Sequence, residues 1–310
     1  VTIFMSNDAT AVVLTPAVLA AVRKSKAEPL PYLFICAFIA NAASFVLPIS
    51  NPANLVVFHK SMPPLGRWLQ TFLVASLLSI IATYAALRWY CRDELRGSLQ
   101  SDVSDGHLSD SGKLALAGIA FVAVALLVAS AVGKDLGLPT CIASLMVTLL
   151  ICLRERANPI KLFSGISWSV LPLVAGLFIL VEAVNNAGVL HISQMLLRSL
   201  QEWTPIAAAV TASFGVGIGT NLINNLPLGL IAGASVREAH VAGVLQNAIL
   251  VGVNLGPNLS ATGSLATILW LIALRKEKLH VSAWTFLKAG IIVMPPALLL
   301  ATLAVAAMSH

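Results

Sequence analysis

The feature that most constrains this chain is a succession of apolar runs, each about as long as a bilayer is thick. A helix needs roughly 20 predominantly apolar residues to cross the hydrocarbon core. Windows of that kind occur at Tyr32–Phe58, Trp68–Tyr90, Leu114–Val132, Leu138–Leu153, Ile166–Val184, Ala239–Leu274 and Ala283–Met308. Seven crossings are therefore expected, and the fold class is an all-α integral membrane protein. Of the 310 residues 58% are hydrophobic and 10% charged, against roughly 25% charged in an ordinary soluble domain. No soluble fold hides that much apolar surface. The formal charge of +6 sits in short clusters between the apolar runs, which is how membrane proteins mark cytoplasmic loops. That pattern argues against nucleic acid as a partner.

Cys36, Cys91, Cys141 and Cys152 are scattered without metal-ligand spacing, so neither a disulfide nor a metal site nor a cofactor is expected. Val1–Met5 has no basic segment before it, so no cleavable signal is expected. A chain opening without Met is expected to be a fragment whose beginning is missing.

Two segments fit the spanning pattern badly. The opening Val1–Val22 carries the polar triplet Ser6-Asn7-Asp8, and Thr204–Val236 is interrupted by Thr220, Asn221, Asn224 and Asn225. The arms of the second, about 16 and 11 residues at 1.5 Å each, are too short to cross singly. Charge counting decides between a single crossing and a re-entrant hairpin. A hairpin gathers Arg23, Lys24, Lys26, Arg88, Arg92, Arg96, Lys113, Arg154, Arg156, Lys161, Arg275, Lys276 and Lys278 on one side. Lys60, Arg67, Lys134, Arg198 and Arg237 remain on the other. A single crossing would move the Arg275, Lys276, Lys278 cluster outside, so the hairpin is preferred. The opening segment then reads as the tail of a second hairpin, entered from the opposite side.

Between the halves, Cys91–Lys113 carries Asp93, Glu94, Asp102, Asp105 and Asp110 among serines and glycines, the composition of a flexible linker. The expected organisation is residues 1–90 as the end of a first inverted repeat, a cytoplasmic linker at 91–113, and a second repeat at 114–310. The C-terminus is then extracytoplasmic.

The halves share an order of polar interruptions. Asn7 is followed 34 residues later by Asn41, which opens a stretch running to Asn54; Asn224 is followed 30 residues later by Asn254, which opens a stretch running to Thr267. Pro48, Pro52, Gly256, Pro257 and Gly263 should break both helices near mid-membrane, because proline removes a backbone donor and glycine loosens the helix. Broken helices at membrane depth are tolerated only within protein or against a cavity. In paired, inverted positions they point to a transporter's binding site. The candidate binding residues are Ser6, Asn7, Asn41, Ser44, Ser50, Asn51 and Asn54 in the first half. In the second they are Asn224, Asn225, Asn254, Asn258, Ser260, Thr262, Gly263 and Ser264. Their side chains offer donors and acceptors without charge. The competing reading is that small residues serve only helix packing, as the GxxxG from Gly215 to Gly219 suggests.

Asp8 is the carboxylate at a hairpin tip and the candidate for proton coupling; the alternative is a local bond within its own hairpin. Glu182 reads as an interfacial acid. No G-x-x-x-x-G-K-[ST] phosphate loop and no H-E-x-x-H set occurs, so a transporter is expected rather than an enzyme.

Phe4-Met5-Ser6-Asn7-Asp8-Ala9-Thr10-Ala11, Leu14-Thr15-Pro16, Leu47–Asn54, Asn224-Asn225-Leu226-Pro227, Leu255-Gly256-Pro257 and Thr262–Trp270 resemble the arsenite efflux permeases, or arsenical pump membrane proteins, of the ion transporter superfamily. The resemblance implies an inverted-repeat secondary transporter with re-entrant hairpins and discontinuous helices in a bacterial inner membrane. It implies export of arsenite or antimonite in exchange for protons, in some members with a separate cytosolic arsenite-stimulated ATPase, and a homodimer is a further expectation. Asn254 and Asn258 stand where some relatives carry Asp and Lys, so a charge pair there does not apply. The alternatives are a carboxylate or sodium-coupled symporter of the same superfamily, and a truncated structural remnant.

Overall fold

The computed structural model describes residues 1–96, 110–132 and 137–155, isolated positions between 168 and 186, and 187–309. The Ile166–Val184 crossing and most of the 91–113 linker lie outside the described residues. Glu182 is described and is exposed. Every regular element among the described residues is a helix.

The chain divides into two compact units. One comprises Val1–Met62, Gly66–Asp102 and Leu177–His310; the other comprises Pro63–Leu65 and Val103–Gly176. The second unit contains two apolar helices packed on each other, which we label α7 (Asp110–Ala131) and α8 (Gly137–Glu155).

The first unit opens with α1 (Thr2–Met5) and α2 (Asn7–Ala9), which continues through one π-helical stretch, Thr10–Leu14, into α3 (Thr15–Lys24). Next come α4 (Pro29–Ala42), α5 (Pro52–Phe58) and α6 (Leu65–Tyr90). After the second unit follow α9 (Val189–Gln201), α10 (Pro205–Ile223), α11 (Asn225–Glu238), α12 (Val244–Leu255), α13 (Leu265–Lys276) and α14 (Ala283–Met308). Three of these, α6, α10 and α14, are long and apolar enough to cross a membrane.

Both long segments are broken where proline and glycine interrupt them. Helix α4 stops at Ala42, a 3-10 turn holds Pro48–Ser50, and α5 begins at Pro52. Helix α12 stops at Leu255, a 3-10 turn holds Gly256–Asn258, and α13 begins at Leu265. Each downstream helix is capped by a polar residue from within its break. Asn51 Oδ1 accepts from the Ala53 N–H at 3.0 Å, and Ser264 Oγ accepts from the Thr267 N–H at 3.2 Å. These bonds satisfy donors that every helix start leaves free.

The Thr204–Val236 segment differs from the expectation in length. Its arms have 19 and 14 residues, and the helix yields only at Asn224. Thr220 and Asn221 do not interrupt it, because their side chains bond back to the Gly217 carbonyl at 2.7 and 2.8 Å, a local alternative open to short polar residues. The first arm is therefore long enough to cross on its own.

The GxxxG pair divides: a Cβ at Gly215 would meet nothing, while one at Gly219 would lie 2.9 Å from Leu228 of α11. Between them, a Cβ at Gly217 would lie 3.1 Å from Leu298 and 3.5 Å from the Gly256 Cα. A Cβ at Gly252 would lie 3.1 Å from the Ser213 Cα. Helix α10 therefore sits on α12 through Gly217, Gly252 and Gly256, and its close approach holds the second break in place.

Candidate functional site

The two breaks meet. Two asparagines at the ends of α4 and α12 each reach across to the other break, and nearly all the groups involved are fully buried. At the end of α4, Asn41 donates from Nδ2 to Asn258 Oδ1 at 3.0 Å. Its Oδ1 accepts from Asn7 Nδ2 at 3.3 Å and faces Ser264 Oγ at 3.5 Å. Asn258 completes its amide on the Phe38 carbonyl at 3.1 Å.

At the end of α12, Asn254 Oδ1 accepts from Asn51 Nδ2 at 2.8 Å and lies 2.5 Å from Ser44 Oγ. Asn254 Nδ2 donates to Asn54 Oδ1 at 2.8 Å and to the Leu250 carbonyl at 2.9 Å. Asn54 Nδ2 donates in turn to the Ser44 carbonyl at 2.8 Å. Ser44 Oγ also lies 2.6 Å from the Asn41 carbonyl, so its single proton is shared between the two halves of the network. A buried amide without partners costs about 1–3 kcal/mol, and here each one is matched by another. The network contains no charged side chain.

Each helix-to-helix tip leans on this region. At the first, Ser6 has φ 96° and ψ 159°; at the second, Asn224 has φ 73° and ψ 153°. That backbone region is nearly confined to glycine, and a residue with a Cβ is held there at about 1–3 kcal/mol. Both residues cap the helix that follows, Ser6 Oγ accepting from the Ala9 N–H and Asn224 Oδ1 from the Leu226 N–H. The first tip also receives Ser50, which donates to the Ile3 carbonyl at 2.8 Å.

The second tip grips its break through backbone and side chain. The Asn225 N–H donates to the Gly263 carbonyl at 2.9 Å, and Asn224 Nδ2 donates to the Thr262 carbonyl at 3.1 Å. Asn221 is the hub here. It accepts from Ser260 Oγ at 2.7 Å, donates to the Gly256 carbonyl at 3.0 Å, and receives Thr262 Oγ1 on its own carbonyl at 3.0 Å.

The predicted residues thus fall into two sets. Asn7, Asn41, Ser44, Ser50, Asn51, Asn54, Asn254, Asn258, Gly263 and Ser264 are buried. Ser6, Asp8 and Ser260 are half-buried and Thr262 is exposed; Asn224 and Asn225 are buried at the tip. Asp8 lies beside the first tip, where its segment packs against α13. Among the described residues its carboxylate has neither a hydrogen bond nor an ion pair, while its backbone N–H donates to Asn7 Oδ1 at 3.0 Å. Among the described residues no cluster of His, Cys, Asp or Glu could hold a metal.

Sequence reasoning missed Asn221 as a site residue, having taken it for a helix interruption. It also missed Ser79 of α6, which donates to the Ala42 carbonyl at 2.8 Å and ties the end of α4 down. Asn221 was within reach, since an Asn four residues after a glycine can bond back to that carbonyl and stay helical. Ser79 carries no signal beyond being polar within an apolar run.

Comparison with known proteins adds an independent line. The family model described as citrate transporter matches residues 1–253. An arsenical pump membrane protein of Yersinia enterocolitica is 28% identical, over 97% of this chain and 73% of its own length. One of Escherichia coli K12 is 27% identical over the same shares. An uncharacterized transporter of Mycobacterium tuberculosis is 24% identical, over 96% of this chain and 72% of its own length.

Proposed function

The chain belongs to the citrate transporter family, an integral membrane family, and on that premise we propose that it is a secondary transporter exporting arsenite and antimonite from the cytoplasm in exchange for protons. The observation that carries the proposal is the neutral carboxamide network through which the two breaks meet, from Asn41 to Asn258 and from Asn254 to Asn54. The names of the arsenical pump relatives support the substrate.

In this reading residues 1–90 are the end of a first inverted repeat and 114–310 the second, joined by a cytoplasmic linker, with the C-terminus extracytoplasmic. The Ser6 and Asn224 tips end re-entrant hairpins. Their matching backbone, their matching caps and the crosswise packing support the pairing: α5 packs on α11, while α13 packs on the segment from α2 to α3. Broken helices of two such repeats meet at the substrate site.

Arsenous acid is an uncharged, polyol-like solute at neutral pH. Each asparagine offers it a donor and an acceptor, and the solute replaces the bonds that the breaks now make with each other. Ser6, Asn7, Ser44, Ser50, Asn51, Asn225, Ser260, Thr262, Gly263 and Ser264 complete the polar surface. Asp8, whose carboxylate has no partner among the described residues, takes up a proton on one side and releases it on the other. One proton moving inward against one neutral solute moves a net charge of one, about 2.3 kcal/mol per 100 mV.

A second reading, carboxylate or sodium-coupled symport, is favoured by the description of the family itself. A carboxylate is ordinarily held by a cationic fork, and the side chains of the network are all neutral.

The test is uptake of labelled arsenite into everted membrane vesicles, with and without a protonophore, alongside labelled citrate. Arsenite accumulation that collapses with the protonophore supports antiport. Accumulation indifferent to the protonophore sinks it, and citrate uptake without arsenite uptake selects the second reading.

A further inference from the structure

A cavity of about 430 Å³ opens where the start of α4 meets the end of α6. Its wall includes Pro31 and Tyr32 of α4, Tyr84 and Arg88 of α6, and Arg92 and Arg96 just beyond. The three guanidinium groups belong to residues spaced four apart, and all three residues are exposed.

Their partners are unequal. Arg96 Nη1 lies 3.3 Å from Asp93 Oδ1, and Arg92 Nε lies 3.9 Å from the other Asp93 oxygen while its guanidinium covers the Trp89 ring at 5.9 Å. Arg88 has no carboxylate within ion-pair distance among the described residues; its nearest polar contact is the Tyr84 hydroxyl at 3.5 Å. Cys91 is buried in the same wall, and burial, followed by the charge of Glu94, pushes its thiol up to about 11. The wall therefore holds a neutral thiol and a guanidinium that, among the described residues, has no carboxylate partner.

The helix face leading to this cavity is apolar. Leu77, Ile81 and Tyr84 precede Arg88 at spacings that keep one face of a helix in line, and all three are exposed. Leu77 is 50% and Ile81 61% exposed, which in a membrane protein means contact with acyl chains. A phosphodiester suits the planar fork of an arginine better than a lysine's point charge, and basic pockets at the membrane surface between spanning helices take anionic headgroups.

We propose that this cavity is a binding site for an anionic phospholipid, its phosphate on Arg88 with Arg92 and Arg96 alongside, and its chains laid along Leu77 and Ile81. A soluble oxyanion would use the same guanidinium groups but would gain nothing from the apolar face, and that difference separates the two sources. Nothing in this site depends on what the protein transports.

The purified chain is delipidated in detergent, offered phosphatidylglycerol or phosphatidylcholine, and weighed by native mass spectrometry, with a parallel arm in inorganic phosphate. The expected result is one retained phosphatidylglycerol at least tenfold tighter than phosphatidylcholine. Arg88→Ala should lose that preference, Arg88→Lys should keep part of it, and Lys276→Ala, outside the cavity wall, should keep all of it. Gel-filtration profiles matching the parent show that the variants are folded. Equal retention of both lipids, or undiminished preference in Arg88→Ala, overturns the proposal and leaves the arginines as charges that orient the chain. Competition by inorganic phosphate that removes the lipid outright overturns it in favour of a soluble anion site.

Discussion

Replacing Asn254 with leucine keeps roughly the same shape while deleting the carboxamide on which the first break closes. Three side-chain partners lose it: Ser44, Asn51 and Asn54. Ser44 keeps the Asn41 carbonyl, so the groups left orphaned are Asn51 Nδ2 and Asn54 Oδ1. Orphaned buried polar groups cost about 1–3 kcal/mol each, which makes about 2–6 kcal/mol for two. Interhelical hydrogen bonds in membranes average about 0.6 kcal/mol, which makes about 2 kcal/mol for three. The two routes meet at a loss of about 2 kcal/mol as the floor.

At roughly 2 °C per kcal/mol for a chain of this size, Tm in detergent should fall by about 4 °C or more, and arsenite transport should fall with it. The double variant with Asn54→Leu removes one of the orphans. Its loss should therefore be smaller than the sum of the single losses, by a coupling of about 0.5–3 kcal/mol. A Tm for Asn254→Leu indistinguishable from the parent's, or strictly additive losses, would refute the idea that the breaks are held together by this amide.

Four further outcomes follow from the geometry. Gly252→Ala should destabilise by about 1–3 kcal/mol through overpacking against the α10 backbone, whereas Gly215→Ala, which meets open space, should leave thermal stability unchanged or raised. Asn224→Ala should cost more than Asn224→Gly in the same thermal assay, since both lose the cap and the bond to Thr262 but only glycine accepts the φ of 73° without strain. Asp8→Asn should leave Tm close to the parent's, because no described residue bonds that carboxylate, while abolishing arsenite-dependent proton movement; unimpaired coupled exchange would remove Asp8 from the mechanism. Arg23→Ala, which breaks the exposed pair with Glu277 at 2.8 Å, should change stability by no more than about 1 kcal/mol, measured by the same melts.

Much of the site was legible because its causes are local. Pro52 has no backbone N–H to donate, which suits the first turn of a helix where that donor would be free anyway, and α5 begins there. Gly256 and Pro257 end α12 for related reasons. The asparagines and serines around both breaks stood out because uncharged polar side chains are expensive among lipids unless they are used.

What stayed hidden depends on partners distant in sequence. Nothing local tells Asn41 that its acceptor is Asn258, 217 residues away. The seam between α10 and α12 uses Gly217 instead of the Gly215 and Gly219 pair, because which glycine faces a neighbour is set by the rotation of the whole helix. The positive φ of Ser6 and Asn224 was equally hidden, since neither is glycine and the tertiary bonds at each tip impose the conformation. The length of α10 was misjudged because Thr220 and Asn221 satisfy themselves on their own helix.

Whether a neutral metalloid and a proton exchange through this chain is decided by reconstitution. In proteoliposomes holding the purified protein and a trapped pH dye, an outward arsenite gradient should drive protons inward and acidify the lumen. The Asn254→Leu and Asp8→Asn variants should not acidify it. Arsenite leaving at the parent's rate with no change in dye signal would contradict proton exchange, and no arsenite movement at all would contradict the substrate.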